Sequence, residues 1–221
     1  MTNRYNGGVT GASVLQSGTI SADTQDFTGD GTWNPVSPAI TSVDLTVIAG
    51  GGSGGGQTGG GGGAGGLRQM TGVSVSGPVA VTIGGGGSGG PGGPGAGTQG
   101  QGNTPPFSPP QGNPGSATPD GKGGGGGSSS AASGSTKGNG TAPSLIPGST
   151  FTVGGQGGSG GSAAGGSTGD GGDGRSGTGA GGNGGSGRVR VFTAAQPFSF
   201  YGSGVWDMNA LYTYVKAGQW S

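Results

Sequence analysis

The stretch TSVDLTVIAGGGSGGGQTGGGGGAGG, residues 41–66, decides how this chain is built. In its first half Val43, Leu45 and Val47 fall on one face of an extended segment, and Asp44, Thr46 and Ile48 on the other. Period-two alternation of β-branched residues bounded by glycine marks a half-buried strand. The second half is nearly bare backbone. The same junction recurs along the chain. Val79, Val81 and Ile83 run into the glycine tract at 84–102, and Phe151 and Val153 into 154–187. That last tract feeds a strand over 188–192, marked by Val189 and Val191, and Val73 and Val75 form a further alternating pair. The expected pattern is strand, glycine excursion, strand.

The glycine tracts have a period of their own. GGGGSGGPGGPG from residue 84 places Ser88, Pro91 and Pro94 three apart. GGQGGSGGS from 154 does the same with Gln156, Ser159 and Ser162, and GGNGGSG with Asn183 and Ser186. A polyproline II helix has three residues per turn, so each series occupies one edge while glycine lines the other two. Such a helix has no internal hydrogen bonds, and its amides must find partners on neighbouring chains. The expected fold is therefore mainly β with irregular structure: a small β framework carrying a polyglycine II helix bundle, plus one short C-terminal helix. Collagen requires glycine at every third position. Ala163-Ala164 and Arg175 break that rule, and the period vanishes across 103–120. Loosely ordered loops are the other alternative, favoured by composition and opposed by the patterned strands.

Of 221 residues, 67 are glycine and 14 proline, with 26% hydrophobic and 7% charged. Average domains have ~45–50% apolar and ~25% charged residues. An ordinary core cannot be built from this, which points to backbone pairing and to sister chains as sources of order. All acidic residues are Asp, and His and Cys are absent. This removes imidazole and thiolate chemistry and cysteine zinc sites. Eight cationic residues balance eight acidic ones, which argues against nucleic-acid binding. No apolar run approaches the ~20 residues of a membrane span. Glycine-rich phosphate motifs match only by chance, and Gly121-Lys122 lacks both the preceding glycine and the following Ser or Thr of a P-loop. GDGGDG at Asp170 and Asp173 lacks the full ligand set of a calcium repeat and reads as solvated acidic edge positions. FTGDGTW, with Asp26 and Asp30 as conceivable paired carboxylates, reads as a turn before a strand. No catalytic, cofactor-binding or metal site is expected, and the chain is not expected to be an enzyme.

Three regions follow. Residues 1–26 read as an N-terminal anchoring arm, 27–192 as the glycine-rich domain, and 193–221 as a C-terminal aromatic docking segment. Within the domain, the loop at 103–120 holds six prolines around Phe107. A stiff loop of this kind is at least a rigid surface feature. As a contact surface it would present Pro106, Phe107 and Pro109 at a tip. In the C-terminal segment Asp207 suits an N-cap, and Trp206 and Leu211 have the spacing of a hydrophobic staple. Met208, Leu211 and Val215 share a helical face, and Gly218 can end the helix. These signals predict a helix over about 208–217, too short to stand alone. Trp206, Leu211, Tyr212, Tyr214 and Trp220 are the expected assembly contacts.

FTGDGTWNPV, VDLTVIAGGG, VAVTIGGGG, STFTVGGQGGSGG and GGSGRVRVF together resemble the glycine-rich domain of bacteriophage tail-fibre and minor virion structural proteins. Trp33 and Pro35 precede a strand that runs into glycine, Phe151–Gly158 matches a later unit, and Gly187–Val191 matches the closing one. The resemblance covers about 27–192. The tail GVWDMNALYTYVKAGQW is similar to a short terminal element of phage structural proteins. The resemblance implies a virion component located in the phage particle, in its tail, serving host attachment or fibre assembly. It implies sister chains, in a homo-oligomer such as a homotrimer, and other virion proteins as partners, with a host surface receptor at variable distal loops. The Pro-rich insertion at 103–120 and the lack of an evident shaft depart from that pattern. A head fibre or capsid decoration is the alternative within this class, and a polyglycine II ice-binding protein or a flexible spacer lies outside it.

Overall fold

The computed structural model describes residues 15–88, 108, 110–146, 150–158, 160–162, 166, 168–201 and 216. Eight strands frame this part of the chain: β1 (Leu15–Ile20), β2 (Asp23–Phe27), β3 (Gly31–Trp33), β4 (Ser42–Ile48), β5 (Leu67–Ser74), β6 (Val79–Val81), β7 (Arg188–Thr193) and β8 (Gln196–Tyr201). The fold is mainly β, with open sheets and an irregular remainder. An antiparallel sheet runs in the order β2-β7-β4-β5, and β1 pairs with β8 and β3 with β6.

Alternation places the core. Leu45 lies opposite Val191 and Val47 opposite Val189, so the valine faces of β4 and β7 coincide. Val191 joins Ile20, Trp33, Ile40 and Val43 in the larger apolar cluster, against which Phe27, Leu45, Val73, Val75, Val81 and Val189 pack. The opposite face carries Ile48, which joins Ile146 and Phe151 in a second cluster flanked by Leu67. Ile48 and Leu67 are register partners at the point where β4 and β5 open into glycine.

β5 holds one residue more than β4 between the Val43–Val73 and Leu45–Met70 pairs. Gly72 takes up this bulge at φ 63°, and its N–H donates to Asp44 Oδ1 at 2.9 Å. A left-handed glycine is what such a bulge requires.

Several expectations need correction. The boundary placed between 26 and 27 falls inside β2, which pairs along its length with β7. β1 and β8 continue that ribbon beyond Ser21-Ala22 and Ala194-Ala195, so the first region ends, and the last begins, in paired strand. The strand expected over 151–153 is one bridge, Phe151 to Thr141, because Thr152 sits at φ 56° and leaves the extended region. β6 stops at Val81, and the N–H of Ile83 instead donates to Asp30 Oδ1 at 2.8 Å. The helix expected over 208–217 lies outside the described residues except for Lys216, which is helical and exposed.

Candidate functional site

The glycine excursions return to one another. Backbone hydrogen bonds of 2.7–3.1 Å join them at every third residue. Gly59, Gly62 and Gly65 donate to the carbonyls of Arg175, Gly172 and Gly169. Gly51 and Gly54 donate to Gly185 and Gly182, and Gly52 and Gly55 to Gly63 and Gly60. Gly155 and Gly158 donate to Gly62 and Gly59, and Gly61 and Ala64 to Gly123 and Gly126. The tract at 59–65 thus touches four others: 50–55, 121–127, 152–158 and 169–175.

The connectivity is that of two staggered rows. One row runs 84–87, 50–55, 59–65, 121–127, and the other 181–187, 169–175, 152–158, 134–140. Most inner members of one row bond to two of the other. The segment 113–116 bonds along the outside of 121–127, through Asn113 to Gly127 and Ser116 to Gly124. Asn113 Nδ2 adds bonds of 3.0 Å to the carbonyls of Gly127 and Ser128.

Only glycine permits this spacing. A Cβ built at Gly171 or Gly125 would lie well inside 3.0 Å of the Gly62 carbonyl, and one at Gly155 would meet Gly172 in the same way. At Gly63 and Gly85, by contrast, an added Cβ meets nothing within 4 Å. The residues with side chains occupy the open third edge. Gly154, Gly155 and Gly157 are buried while Val153 and Gln156 are half-buried, and Asn183 is exposed between buried Gly182 and half-buried Gly184.

Asp170 and Asp173 correct the reading of them as solvated edge positions. Both are half-buried. Asp170 Oδ1 accepts the N–H of Val153 and Asp173 Oδ1 that of Gln156, each at 2.7 Å. The carboxylates bind two neighbouring tracts together. Among the described residues no group of three or more acidic, His or Cys side chains is placed to hold a metal ion.

A charged cluster closes the lattice against the sheet. Asp26 pairs with both Arg188 and Arg190, with Arg188 Nη2 to Oδ2 at 2.7 Å and Arg190 Nε to Oδ1 at 2.7 Å. The hydrogen bond from Arg190, followed by the Arg188 contacts and opposed by partial burial, holds the Asp26 carboxyl down at about 2. Arg190 also donates to the Leu145 carbonyl at 2.8 Å, and the Arg188 guanidinium lies 5.8 Å from the Phe151 ring centroid. Through Leu145 and Phe151 the cluster is tied to residues beside the second apolar cluster, which holds Ile146 and Phe151. All three charges are engaged with one another, which makes this a fastening.

The expected assembly contacts Trp206, Leu211, Tyr212, Tyr214 and Trp220 lie outside the described residues, as do Pro106, Phe107 and Pro109. Beside the latter, Ser108 and Pro110 are exposed. Among the described residues no helix is long and apolar enough to cross a membrane. The chain matches no family model, no curated protein and no solved structure.

Proposed function

We propose that this chain is a structural protein of a bacteriophage particle, a tail fibre or minor tail component acting in fibre assembly or host attachment. The reading treats the tracts as a polyglycine II bundle, and the observation that carries it is the lateral bonding at every third residue. A body made this way has its sequence information at its edges and ends, while its interior is uniform backbone. That suits a rigid, non-enzymatic element that displays loops and docks its termini. The motif resemblance over 27–192 supports the virion assignment. Sister chains, other virion proteins and a host surface receptor are the partners in this reading, the first two engaged by the C-terminal aromatic residues. The third-edge residues Gln156, Asp170, Asp173 and Asn183 are chemically mixed, which weighs against the flat Ser/Thr face of an ice-binding protein.

Purified particles probed with antibody against the chain test the assignment. Gold label at the tail is the expected result. Label on the capsid selects the head-fibre alternative, and absence of the protein from particles overturns the proposal.

A further inference from the structure

Two Gly-Asn-Gly units lie in the described lattice, one around Asn139 in the outermost tract of the second row and one around Asn183 in the tract at its other end. In an Asn-Gly pair the glycine nitrogen can attack the asparagine side-chain carbon, since no Cβ shields it and the ring closes within one chain. The lattice treats the two pairs differently. The Gly184 N–H donates to the Gly87 carbonyl at 2.9 Å, and its neighbours Gly182 and Gly185 donate to Asp173 and Asp170. The Gly140 N–H has no partner among the described residues, which is rare for a half-buried amide. The Asn139 side chain beside it is exposed. The carbonyl of this same peptide unit is heavily bonded. Asn139 O accepts from the Ser129 N–H at 2.9 Å, the Ser129 hydroxyl at 3.1 Å and the Ser130 N–H at 3.4 Å. The Asn139 N–H donates in return to Ser130 Oγ at 2.9 Å, which holds the serines in place. Loss of the Gly140 proton moves negative charge onto the Asn139 carbonyl oxygen, and donors already aimed at it stabilise the attacking anion.

We infer that Asn139 is a self-modification site, where the Gly140 nitrogen closes on the Asn139 side chain to form a succinimide. Water is the only co-reactant. The Gly140 amide proton passes to solvent, the nitrogen bonds to Asn139 Cγ, and the side-chain amide takes up a proton and leaves as ammonia. Water then opens the ring at one of its two carbonyls and leaves aspartate or isoaspartate at position 139. Either product places a negative charge at this exposed position. The isoaspartyl form also adds a carbon to the main chain between two anchored points. On one side Gly138 is bonded to Gly125 and Gly154, and on the other Thr141 and Phe151 exchange hydrogen bonds. The site is thus a clock at the edge of the lattice. None of these steps depends on the virion assignment.

Peptide mapping by mass spectrometry tests this on the full chain, held folded at mildly alkaline pH. Conversion at 139 should outrun that at 183 by roughly ten-fold or more, with isoaspartate among the products as the mark of the cyclic route. The chain held in urea should convert both sites at similar rates, because each is then an unfolded Gly-Asn-Gly. Ser129 is exposed, so Ser129→Ala should keep the wild-type melting temperature. It should slow conversion at 139 several-fold and leave 183 unchanged. Should that variant melt lower, the comparison of folded and urea-held wild type decides alone. Three results would overturn the inference: equal or faster conversion at 183 in the folded chain, an intact Asn139 after the urea-held chain is consumed, or a stably folded Ser129→Ala chain that converts as wild type does.

Discussion

Asp173 Oδ1 accepts the backbone N–H of Gln156 at 2.7 Å, and three residues earlier in both tracts Asp170 does the same for Val153. One residue after each Asp, Gly171 and Gly174 donate to the carbonyls of Val153 and Gln156. The two tracts run parallel and in register, with the Asp side chains acting as extra backbone acceptors. A charge-assisted bond to a part-buried amide contributes about 1.5–3 kcal/mol.

The double substitution Asp170→Ala with Asp173→Ala should therefore lower stability by about 3–6 kcal/mol, and the Asn versions, which keep an acceptor oxygen, by less. Urea denaturation of the full chain measures this. Equal loss from Ala and Asn would show that the acceptor geometry is not what matters. Calcium should leave the wild-type midpoint unchanged.

A second prediction separates packed from open glycines. Gly62→Ala, Gly155→Ala and Gly171→Ala each drive a methyl group into a carbonyl of the neighbouring tract. Gly63→Ala and Gly85→Ala meet open space. The first set should cost about 1–3 kcal/mol or more apiece, as overpacking does, and the second should be neutral or slightly stabilising by restricting the unfolded chain. Thermal melts that rank all five alike would mean the tracts are not held at this spacing.

The strands best seen in the sequence are those with clean β-branched alternation, β4 and β7. β2 was hidden because DTQDF alternates polar residues with one aromatic, and β8 because Pro197 interrupts QPFSFY. β5 was read only at Val73 and Val75, since its first half, Leu67–Met70, has no β-branched residue and Gly72 breaks the pattern with a bulge. Phe151 and Val153 misled in the opposite direction: the positive φ of Thr152 between them is a tertiary effect. The spacing of the tracts was legible from Gln156, Asn183 and Ser186. Their pairing was not, because one glycine run is chemically like any other. The sequence signal that bears on pairing is that Asp170 and Asp173 repeat the three-residue spacing of Val153 and Gln156.

Arg190 and Asp26 lead to a pH prediction. The Asp26 carboxyl is lowered from 3.8 to about 2, first by its hydrogen bond from Arg190. A depressed carboxylate contributes stability above its unfolded value, and that contribution is lost as pH falls from about 4 toward 2. The Asp26 side chain keeps 31% of its surface exposed, so solvent screening reduces the effect to about 1 kcal/mol. Asp26→Asn should be destabilised by that amount near neutral pH, with the gap closing as pH falls through 2. Stability curves that stay parallel across this range would assign the acid sensitivity elsewhere.

The last prediction concerns assembly through the C-terminal aromatics. Trp206→Ala with Trp220→Ala removes two large apolar side chains from a segment whose sequence predicts a helix too short to persist undocked. Buried aromatic anchors commonly contribute about 2 kcal/mol or more to an interface. If the two residues serve docking and not the fold of the single chain, the variant should keep the wild-type melting temperature while its incorporation into particles drops by roughly ten-fold or more. Incorporation is read by quantitative mass spectrometry of particles grown with the variant as the sole copy. Undiminished incorporation would remove the docking role from these residues. A lowered melting temperature in the free protein would instead assign them to the fold of the single chain.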